Sequence, residues 1–238
     1  MLRAVVFDYY ETIAELSEET RERAFDDLAR DLGVQLAAGE AFRQWRELTT
    51  RDWDIRLGGQ QRPPLDGTPM PFVAFRDVWS QRSAELFRHW GVDTPGEAGA
   101  EMYERVHGRA LAFPDVAPAL EALRGRYALA VLSDADDGFL DASLRRNGLS
   151  FDLVVSSEKL RAYKPHESLF RETCARLGVA PAEALYIGDS PWADIAGARH
   201  AGLSAAWLNR RGRYWPDDIE PPETVVTSLS ELAALLSG

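Results

Sequence analysis

Short apolar runs alternate with helical segments along much of the chain, and this alternation is the feature that most constrains the fold. Several runs lack polar alternation and are rich in β-branched residues, which is typical of strands covered by helices on both faces of a sheet. The runs lie at residues 4–7, 127–132, 153–155, 184–187, 203–208 and 224–226. The helical segments between the later runs end at or next to a glycine, the usual residue after a helix. They lie at residues 117–125, 136–148, 166–178 and 191–202. The alternation predicts an α/β fold with a parallel, doubly wound sheet.

A long helical stretch interrupts this alternation after the first strand. Its helical patterns lie at residues 17–33, 38–59, 72–91 and 96–111. Residues 58–71 are too rich in glycine and proline for regular structure and predict a loop inside the stretch. The sequence therefore predicts a Rossmann-like core, formed by residues 1–14 and 112–238, and an inserted α-helical cap domain at residues 15–111.

Composition limits the classes of function. The net charge of −11, from 38 acidic and 27 basic residues, disfavours non-specific binding to nucleic acid or to anionic membranes. A locally positive site can still bind a small anion. The single cysteine, Cys174, excludes an intramolecular disulfide and is expected to be an inert thiol on a helix face. Because no apolar run approaches the ~20 residues that span a bilayer and no leader pattern is present, we expect a cytoplasmic protein. The sequence leaves monomer and homodimer open.

Polar side chains follow four of the predicted strands at the point where each strand ends. They are Asp8, the pair Ser133 and Asp134, Lys164 in the stretch RAYKP, and the group Asp189, Ser190 and Asp194. Ligands of parallel α/β sheets bind beyond the carboxyl ends of the strands. We therefore expect these acids, this lysine and these hydroxyl groups to meet at one edge of the sheet and to form an active site.

The order and spacing of these residues resemble the four motifs of the haloacid dehalogenase-like hydrolase superfamily. The resemblance covers essentially the whole chain, including a helical cap between the first two motifs. The stretches FDYYET, LSDAD, YKP and YIGDSPWAD resemble motifs I to IV, and the last of them is the most specific. The matching residues are, in motif order, Asp8 and Thr12, Ser133, Lys164, and Asp189 and Asp194.

The resemblance implies a role for each matching residue. Asp8 is the expected nucleophile, since a carboxylate can attack phosphorus or carbon and give a covalent intermediate that water hydrolyses. Lys164 would offset the negative charge and hold Asp8 ionised. Asp8 and Asp189 would form a hard oxygen site for Mg²⁺, and by family analogy the carbonyl of Tyr10 would be a further ligand.

The remaining positions are expected to bind the substrate or to support the site. Ser133 would bind a phosphate or carboxylate group, and Thr12 belongs to the catalytic set of motif I. Asp134 is expected to make a peripheral polar contact with the substrate. Asp194 is expected to anchor its own loop or Lys164 rather than to bind the metal directly.

Tyr10 departs from the pattern of the phosphatases in this superfamily. Those enzymes carry an aspartate two residues after the nucleophile, and such general acid–base catalysis typically contributes ~10²–10⁴-fold. Tyrosine, with a free pKa of about 10, is a poor base at neutral pH. Glu11 is the first residue that could substitute for the aspartate, but in an extended chain its side chain would point to the other side. Tyr10 thus favours a reaction that needs no general acid.

Halide departure is such a reaction, and dehalogenases of the superfamily have a tyrosine at this position, in a D-x-Y-G-T pattern in which Glu11 replaces the glycine. The stretch QWRELTTRDW also resembles the dehalogenase cap helix that supplies a substrate-binding arginine, which would be Arg46 here. The alternative for Arg46 is a solvated helix residue. Motif IV points away from dehalogenation, because dehalogenases have small polar residues and no metal there, whereas this chain has Gly-Asp-Ser.

These observations lead to one expected function and two alternatives. The leading expectation is Mg²⁺-dependent hydrolysis of a phosphorylated small molecule through an aspartyl-phosphate. The first alternative is a 2-haloacid dehalogenase-like hydrolase. The second is a non-catalytic binding or regulatory protein that kept the metal and phosphate site but lost turnover with the second aspartate.

Overall fold

The computed structural model describes residues 1–56 and 62–237, with the backbone alone for residues 51–56. Eight strands and ten helices lie within these ranges. The strands are β1 (Ala4–Phe7), β2 (Ala14–Glu15), β3 (Leu111–Ala112), β4 (Ala128–Ser133), β5 (Leu153–Ser156), β6 (Ala184–Gly188), β7 (Ser204–Leu208) and β8 (Thr224–Val226). The helices are α1 (Glu18–Asp31), α2 (Glu40–Arg56), α3 (Phe75–His89), α4 (Glu97–Gly108), α5 (Val116–Leu123), α6 (Asp137–Arg146), α7 (Ser157–Leu160), α8 (Glu167–Leu177), α9 (Gly197–His200) and α10 (Leu229–Ser237). A π-helical turn at Pro191–Ala196 precedes α9.

The central sheet has six parallel strands in the order β5-β4-β1-β6-β7-β8. Successive side chains of a strand point to opposite faces, so Val5 and Phe7 of β1 pack in one apolar core while Ala4 and Val6 pack in another. All four residues are buried. Burial on both faces explains why the strand shows no polar alternation, and the predicted Rossmann-like parallel sheet is confirmed.

Helices α1 to α4 form the helical cap, and the chain enters and leaves it through a two-stranded antiparallel ribbon. Strands β2 and β3 pair there, with Ala14 opposite Ala112 and Glu15 opposite Leu111. The inserted helical cap is confirmed, and residues 15–111 remain our proposed extent of it. Within the predicted loop at 58–71, residues 58–61 lie outside the described residues, and residues 62–71 form neither helix nor strand.

The cap rests on the carboxyl end of the sheet through polar and aromatic contacts. Asp136, which follows β4, accepts hydrogen bonds from the first two backbone N–H groups of α3, those of Phe75 at 2.9 Å and Arg76 at 2.8 Å. The carboxylate therefore caps a helix of the cap from the core side, where α3 has no side-chain cap of its own. The aromatic rings of Trp79 and Phe139 pack across the same boundary at 5.2 Å between centroids.

No helix in the described part of the chain has the length and apolar content needed to cross a bilayer.

Candidate active site

Three adjacent strands place the acidic residues at one edge of the sheet. Strands β4, β1 and β6 are neighbours, and Asp134, Asp8 and Asp189 each come directly after one of them. Because the strands are parallel, their carboxyl ends meet at the same edge. The structure thus brings together acids that are far apart in the sequence.

Lys164 lies at the centre of this group. Its Nζ donates to Oδ1 of Asp8 at 2.7 Å, to Oδ1 of Asp194 at 2.6 Å and to the hydroxyl of Tyr186 at 3.1 Å. The Lys164 side chain is only 4% exposed. Burial lowers its pKa, but the charges of Asp194 and Asp8 raise it more, so the Lys164 pKa stands well above its ordinary value. The lysine is therefore a permanent positive charge between two carboxylates.

The backbone of Lys164 is also fixed by an acid. Its N–H donates to the Asp134 carboxylate at 3.0 Å. The structure therefore gives Asp134 a supporting contact to Lys164, whereas the peripheral contact with a substrate that we expected of it stays a prediction.

Asp194 closes the motif IV turn as well as holding Lys164. Its Oδ2 accepts the backbone N–H of Ser190 at 2.8 Å. The carboxyl group lies so close to Gly188 that a Cβ built there would be 2.4 Å from it. Only glycine fits at this position without displacing Asp194, which explains the Gly-Asp-Ser sequence at the end of β6.

The buried acids hold their protons more tightly than free aspartates do. Burial raises the pKa of Asp8 to about 6 against the lowering effect of Lys164. Burial, together with the charges of Asp194 and Asp8, raises the pKa of Asp189 to about 8 against Arg213 and Lys164. The pKa of Asp134 rises to about 7, again mainly by burial. Because burial disfavours the charged form of each acid, a cation or a proton would stabilise the site.

A divalent cation fits the chemistry of these residues. Carboxylate oxygens of Asp8, Asp189 and Asp194 lie within 4.8 Å of one another, and hard oxygen donors are what Mg²⁺ prefers. Both oxygens of Asp194 already accept hydrogen bonds from Lys164 and Ser190, so Asp8 and Asp189 are the better candidates to hold an ion. A bound Mg²⁺ would neutralise the oxygens of a phosphoryl group. The Tyr10 carbonyl as a third ligand stays a prediction.

Tyr10 is poorly suited to proton transfer. Its hydroxyl donates to the backbone carbonyl of His107 in α4 at 3.3 Å, and its ring packs against the imidazole of His107 at 5.1 Å. Burial, with the charges of Tyr9 and Asp8, raises the pKa of Tyr10 well above its ordinary value. The side chain therefore joins the cap to the core instead of replacing the missing acid.

Glu11 is engaged elsewhere. Its Oε1 accepts the backbone N–H of Leu16 at 2.8 Å, and its Oε2 accepts two hydrogen bonds from Arg211, at 3.0 and 2.5 Å. Its backbone has a φ of 65°, the left-handed region that favours glycine. This explains why the related D-x-Y-G-T pattern has glycine there, and it leaves Glu11 an unsuitable general acid.

Two hydroxyl residues expected at the site follow the same strands. Ser133 is the last residue of β4 and is almost fully buried. Thr12 is fully buried, and within the described part of the chain its Oγ1 has no hydrogen-bond partner. A buried hydroxyl without a partner is uncommon and is free to bond a ligand.

Arg46 is not brought into this cluster. It lies on α2, its guanidinium donates to Glu18 of α1 at 2.7 Å, and its side chain is 64% exposed. The geometry matches the solvated helix residue that was the alternative. The substrate-binding role of Arg46 stays a prediction without support from this arrangement.

Sequence reasoning missed a group of arginines in the loop after β7. Arg210 donates to the Thr12 carbonyl at 3.2 and 3.0 Å, Arg211 pairs with Glu11, and Arg213 pairs with Asp189 at 3.3 Å. The available signal was the run NRRGR directly after a core strand. The strand ends at the same sheet edge as the acids, so this run is placed against them.

Comparison with known proteins agrees with this arrangement. The sequence model for haloacid dehalogenase-like hydrolases matches residues 2–202. (S)-2-haloacid dehalogenase 4A of Burkholderia cepacia is 36% identical over 129 residues, 53% of this chain and 55% of that protein. Glyceraldehyde 3-phosphate phosphatase of Methanopyrus kandleri is 29% identical over 232 residues, 93% of this chain and 88% of that protein. The structure of L-2-haloacid dehalogenase from Xanthobacter autotrophicus superposes with a TM-score of 0.77 and 25% identity, covering 100% of this chain and 99% of that one. The resemblance predicted from the motifs is confirmed, and this chain belongs to the haloacid dehalogenase-like hydrolase family.

Proposed function

We propose that this enzyme hydrolyses a small 2-haloacid through a covalent ester on Asp8. The observation that carries the proposal is Tyr10, which occupies the position of the general acid but has its hydroxyl bonded to the His107 carbonyl and a strongly raised pKa. A halide leaves without taking a proton, so the reaction does not need the missing acid. The dehalogenases found by sequence and by structure support this choice over the phosphatase that motif IV suggested.

The first step is displacement at carbon. An ionised oxygen of Asp8 attacks the carbon that carries the halogen, the new C–O bond forms an ester, and the halide departs with the electron pair of the broken bond. Lys164, 2.7 Å from Asp8, favours the ionised carboxylate that this attack requires. The unpartnered hydroxyl of Thr12 and the buried Ser133 are the polar groups that we assign to the substrate carboxylate.

The second step is hydrolysis of the ester. Water attacks the carboxyl carbon of the esterified Asp8, the alcohol product leaves, and Asp8 returns with one oxygen from water. Asp189, whose carboxylate lies within 4.8 Å of that of Asp8, is the group that we assign to take a proton from the attacking water and to return it to the departing alkoxide oxygen. The net proton is released when the re-formed carboxyl group of Asp8 ionises. The sum is a 2-haloacid plus water giving a 2-hydroxyacid, a halide ion and a proton.

One observation favours a second function. The carboxylates of Asp8, Asp189 and Asp194 form a set that suits Mg²⁺, and a phosphatase is among the relatives matched over most of the chain. With a metal at Asp8 and Asp189, attack on phosphorus would be favoured over attack on carbon. This candidate is limited to phosphates with good leaving groups, because no general acid has been identified to protonate a poor one.

One experiment separates the two functions. Purified enzyme is incubated with 2-chloropropionate in EDTA and, in parallel, with an aryl phosphate in Mg²⁺, and halide and phosphate release are measured. We expect halide release without metal and its loss in Asp8→Asn, whose amide is a feeble nucleophile. Turnover in water enriched in heavy oxygen should place the isotope in the Asp8 peptide, because water attacks the ester at the carboxyl carbon. Metal-dependent phosphate release with no halide release would overturn the proposal and favour the second function.

A further inference from the structure

The loop after β7 holds a positive charge against Asp189. Nη1 of Arg213 lies 3.3 Å from Oδ2 of Asp189. Asp189 is the residue of motif IV whose carboxylate is expected to bind a cation, and it is less exposed than its partner, at 23% against 54% for the side chains. The ion pair therefore stands at the mouth of the site, with the carboxylate on the inner side and the guanidinium on the solvent side.

The loop fixes the backbone from which Arg213 reaches inward. The backbone N–H of Arg213 donates to Oδ1 of Asn209 at 2.8 Å, and Nδ2 of Asn209 donates back to the carbonyl of Arg213 at 2.9 Å. The two bonds close residues 209–213 into a tight ring with Gly212 in the left-handed region at φ 62°. The two bonds thus fix the backbone position from which the Arg213 side chain extends to Asp189.

The two neighbouring arginines attach this ring to motif I. Arg210 bonds the carbonyl of Thr12 and the carboxylate of Asp115, and its guanidinium stacks on Phe113 at 4.1 Å. Arg211 is held by Glu11. Arg210 and Arg211 therefore have structural partners, which leaves Arg213 as the arginine of this run that faces the acids of the site.

Asp189 is held in place from the other side. Its carbonyl accepts the indole N–H of Trp207 at 2.9 Å, and the Trp207 ring packs on Trp215 at 4.9 Å. Both members of the ion pair are thus anchored by their backbones. The fold therefore holds the two residues at a separation at which their side chains can pair.

We infer that Arg213 is a tethered counter-ion that takes the place of a divalent cation at Asp189. Two permanent cations then face the three clustered acids, with Lys164 between Asp8 and Asp194 and Arg213 on Asp189. A metal ion and this guanidinium compete for the same carboxylate, because like charges at such short range repel strongly. This reconciles a motif IV suited to metal with a reaction at carbon, in which a divalent metal ion bound directly to Asp8 would weaken the nucleophile. The inference deepens the proposed function by naming the residue that makes its site independent of metal.

The inference predicts that removing the guanidinium charge opens the site to Mg²⁺. Arg213→Gln should bind Mg²⁺ roughly tenfold or more tightly than wild type, since a cation at Asp189 no longer meets a positive charge. Binding is measured by isothermal titration calorimetry and by the rise of the melting temperature with added Mg²⁺. Arg199→Gln, which removes an equal charge from an arginine paired with Glu220 outside this loop, is the matched control and should bind like wild type. Adding Asp189→Asn to Arg213→Gln should abolish the gained binding.

A conservative variant gives a second test that does not depend on removing the side chain. Arg213→Lys keeps the positive charge and should bind Mg²⁺ as weakly as wild type. Equal Mg²⁺ affinity in wild type and Arg213→Gln, whether both bind or neither does, overturns the inference, and so does tight binding by the lysine variant. The measurement needs no substrate, so its failure is distinct from a failure to release halide.

Discussion

Replacing Lys164 by methionine tests the electrostatic centre of the site. The Nζ of Lys164 lies 2.7 Å from Asp8 and 2.6 Å from Asp194, and the three side chains are at most 8% exposed. Methionine keeps the length and the apolar stem but leaves two carboxylates buried without their cation. Removing one partner of a buried ion pair typically costs about 3–5 kcal/mol, and we expect a loss of this size in the free energy of unfolding near pH 8.

The loss of unfolding free energy in Lys164→Met should become smaller as the pH falls. In wild type the Asp8 pKa is raised from 3.8 to about 6, so the folded state loses stability as the pH rises from the first value through the second. Lys164 is the largest influence lowering that pKa, and its removal moves the Asp8 pKa higher still. Above the Asp8 pKa of wild type, the variant therefore continues to lose stability while wild type does not. The extra loss is about 1.4 kcal/mol for each unit by which the Asp8 pKa of the variant exceeds that of wild type.

The assay is chemical denaturation of wild type and Lys164→Met at about pH 5 and about pH 8, with the difference in unfolding free energy compared at each pH. Lys159→Met is the control, because the Lys159 side chain is 38% exposed and its ion pair with Asp137 is a loose one, at 3.6 Å. It should change stability by less than about 1 kcal/mol at either pH. A difference for Lys164→Met that does not vary with pH would refute the reasoning, because it would mean that the carboxylates are not ionised beside the lysine.

Three other predictions concern the nucleophile, the tyrosine and the cap. The single-turnover rate of halide release should rise with pH and level off above about pH 6, since the attacking Asp8 must be ionised and its pKa is raised to that value. Stopped-flow detection of halide measures this rate, and a rate that falls as the pH rises contradicts the prediction. Tyr10→Phe should change the rate of halide release by less than about threefold. The Tyr10 hydroxyl donates no proton to the halide, and it anchors the cap through one hydrogen bond, of about 1 kcal/mol. A loss of about a hundredfold would mean that Tyr10 acts as an acid after all. Asp136→Ala should lower the unfolding free energy by about 1–3 kcal/mol and speed proteolysis within α3, because two backbone N–H groups lose their acceptor. Asp141→Ala, on the helix α6 that follows Asp136, is the control, and equal cleavage of both variants contradicts the capping role.

Sequence patterns were informative wherever one strand or one turn determines the structure. The buried strands could be predicted because both faces of β1 are covered, which requires the uninterrupted run Ala4–Phe7. The acids at the strand ends could be predicted to meet because a parallel sheet aligns its carboxyl ends. The glycine at position 188 has a similarly local explanation, since the carboxyl group of Asp194 occupies the space that a Cβ would need there.

Features that depend on the docking of distant segments were not predictable from the sequence. The ribbon of β2 and β3 has two residues in each strand, too few to show a period of two. The capping of α3 by Asp136 joins residues about sixty positions apart, and the residue before the helix, Ala74, has no polar side chain that could cap it locally. The position of Arg46 was likewise not predictable, because a helix that resembles a substrate-binding one can turn a given residue to solvent, and only packing fixes the rotation of the helix.

Glu11 connects the altered motif I to the arginine loop, and its replacement by glycine is the last prediction. A non-glycine residue in the left-handed region costs about 1–2 kcal/mol, and here φ is 65°. The bonds from Leu16 and Arg211 to its carboxylate offset this strain, and the second of them ties the loop that carries Arg213 to motif I. Glu11→Gly removes the strain and the tie together. We therefore expect little change in the free energy of unfolding but tighter Mg²⁺ binding than in wild type.

The gain in Mg²⁺ affinity should be smaller in Glu11→Gly than in Arg213→Gln, because Arg210 and Asn209 still hold the ring from which Arg213 extends. Calorimetric titration of wild type, Glu11→Gly and Arg213→Gln under one condition gives the order of their Mg²⁺ affinities. A Glu11→Gly protein that binds Mg²⁺ no better than wild type would show that the ring positions Arg213 without help from motif I. The expected order, with Glu11→Gly between the other two, would mean that the glutamate of motif I helps to determine which cation faces Asp189. The choice between attack at carbon and attack at phosphorus would then depend on arginines outside the four motifs as well as on the motifs themselves.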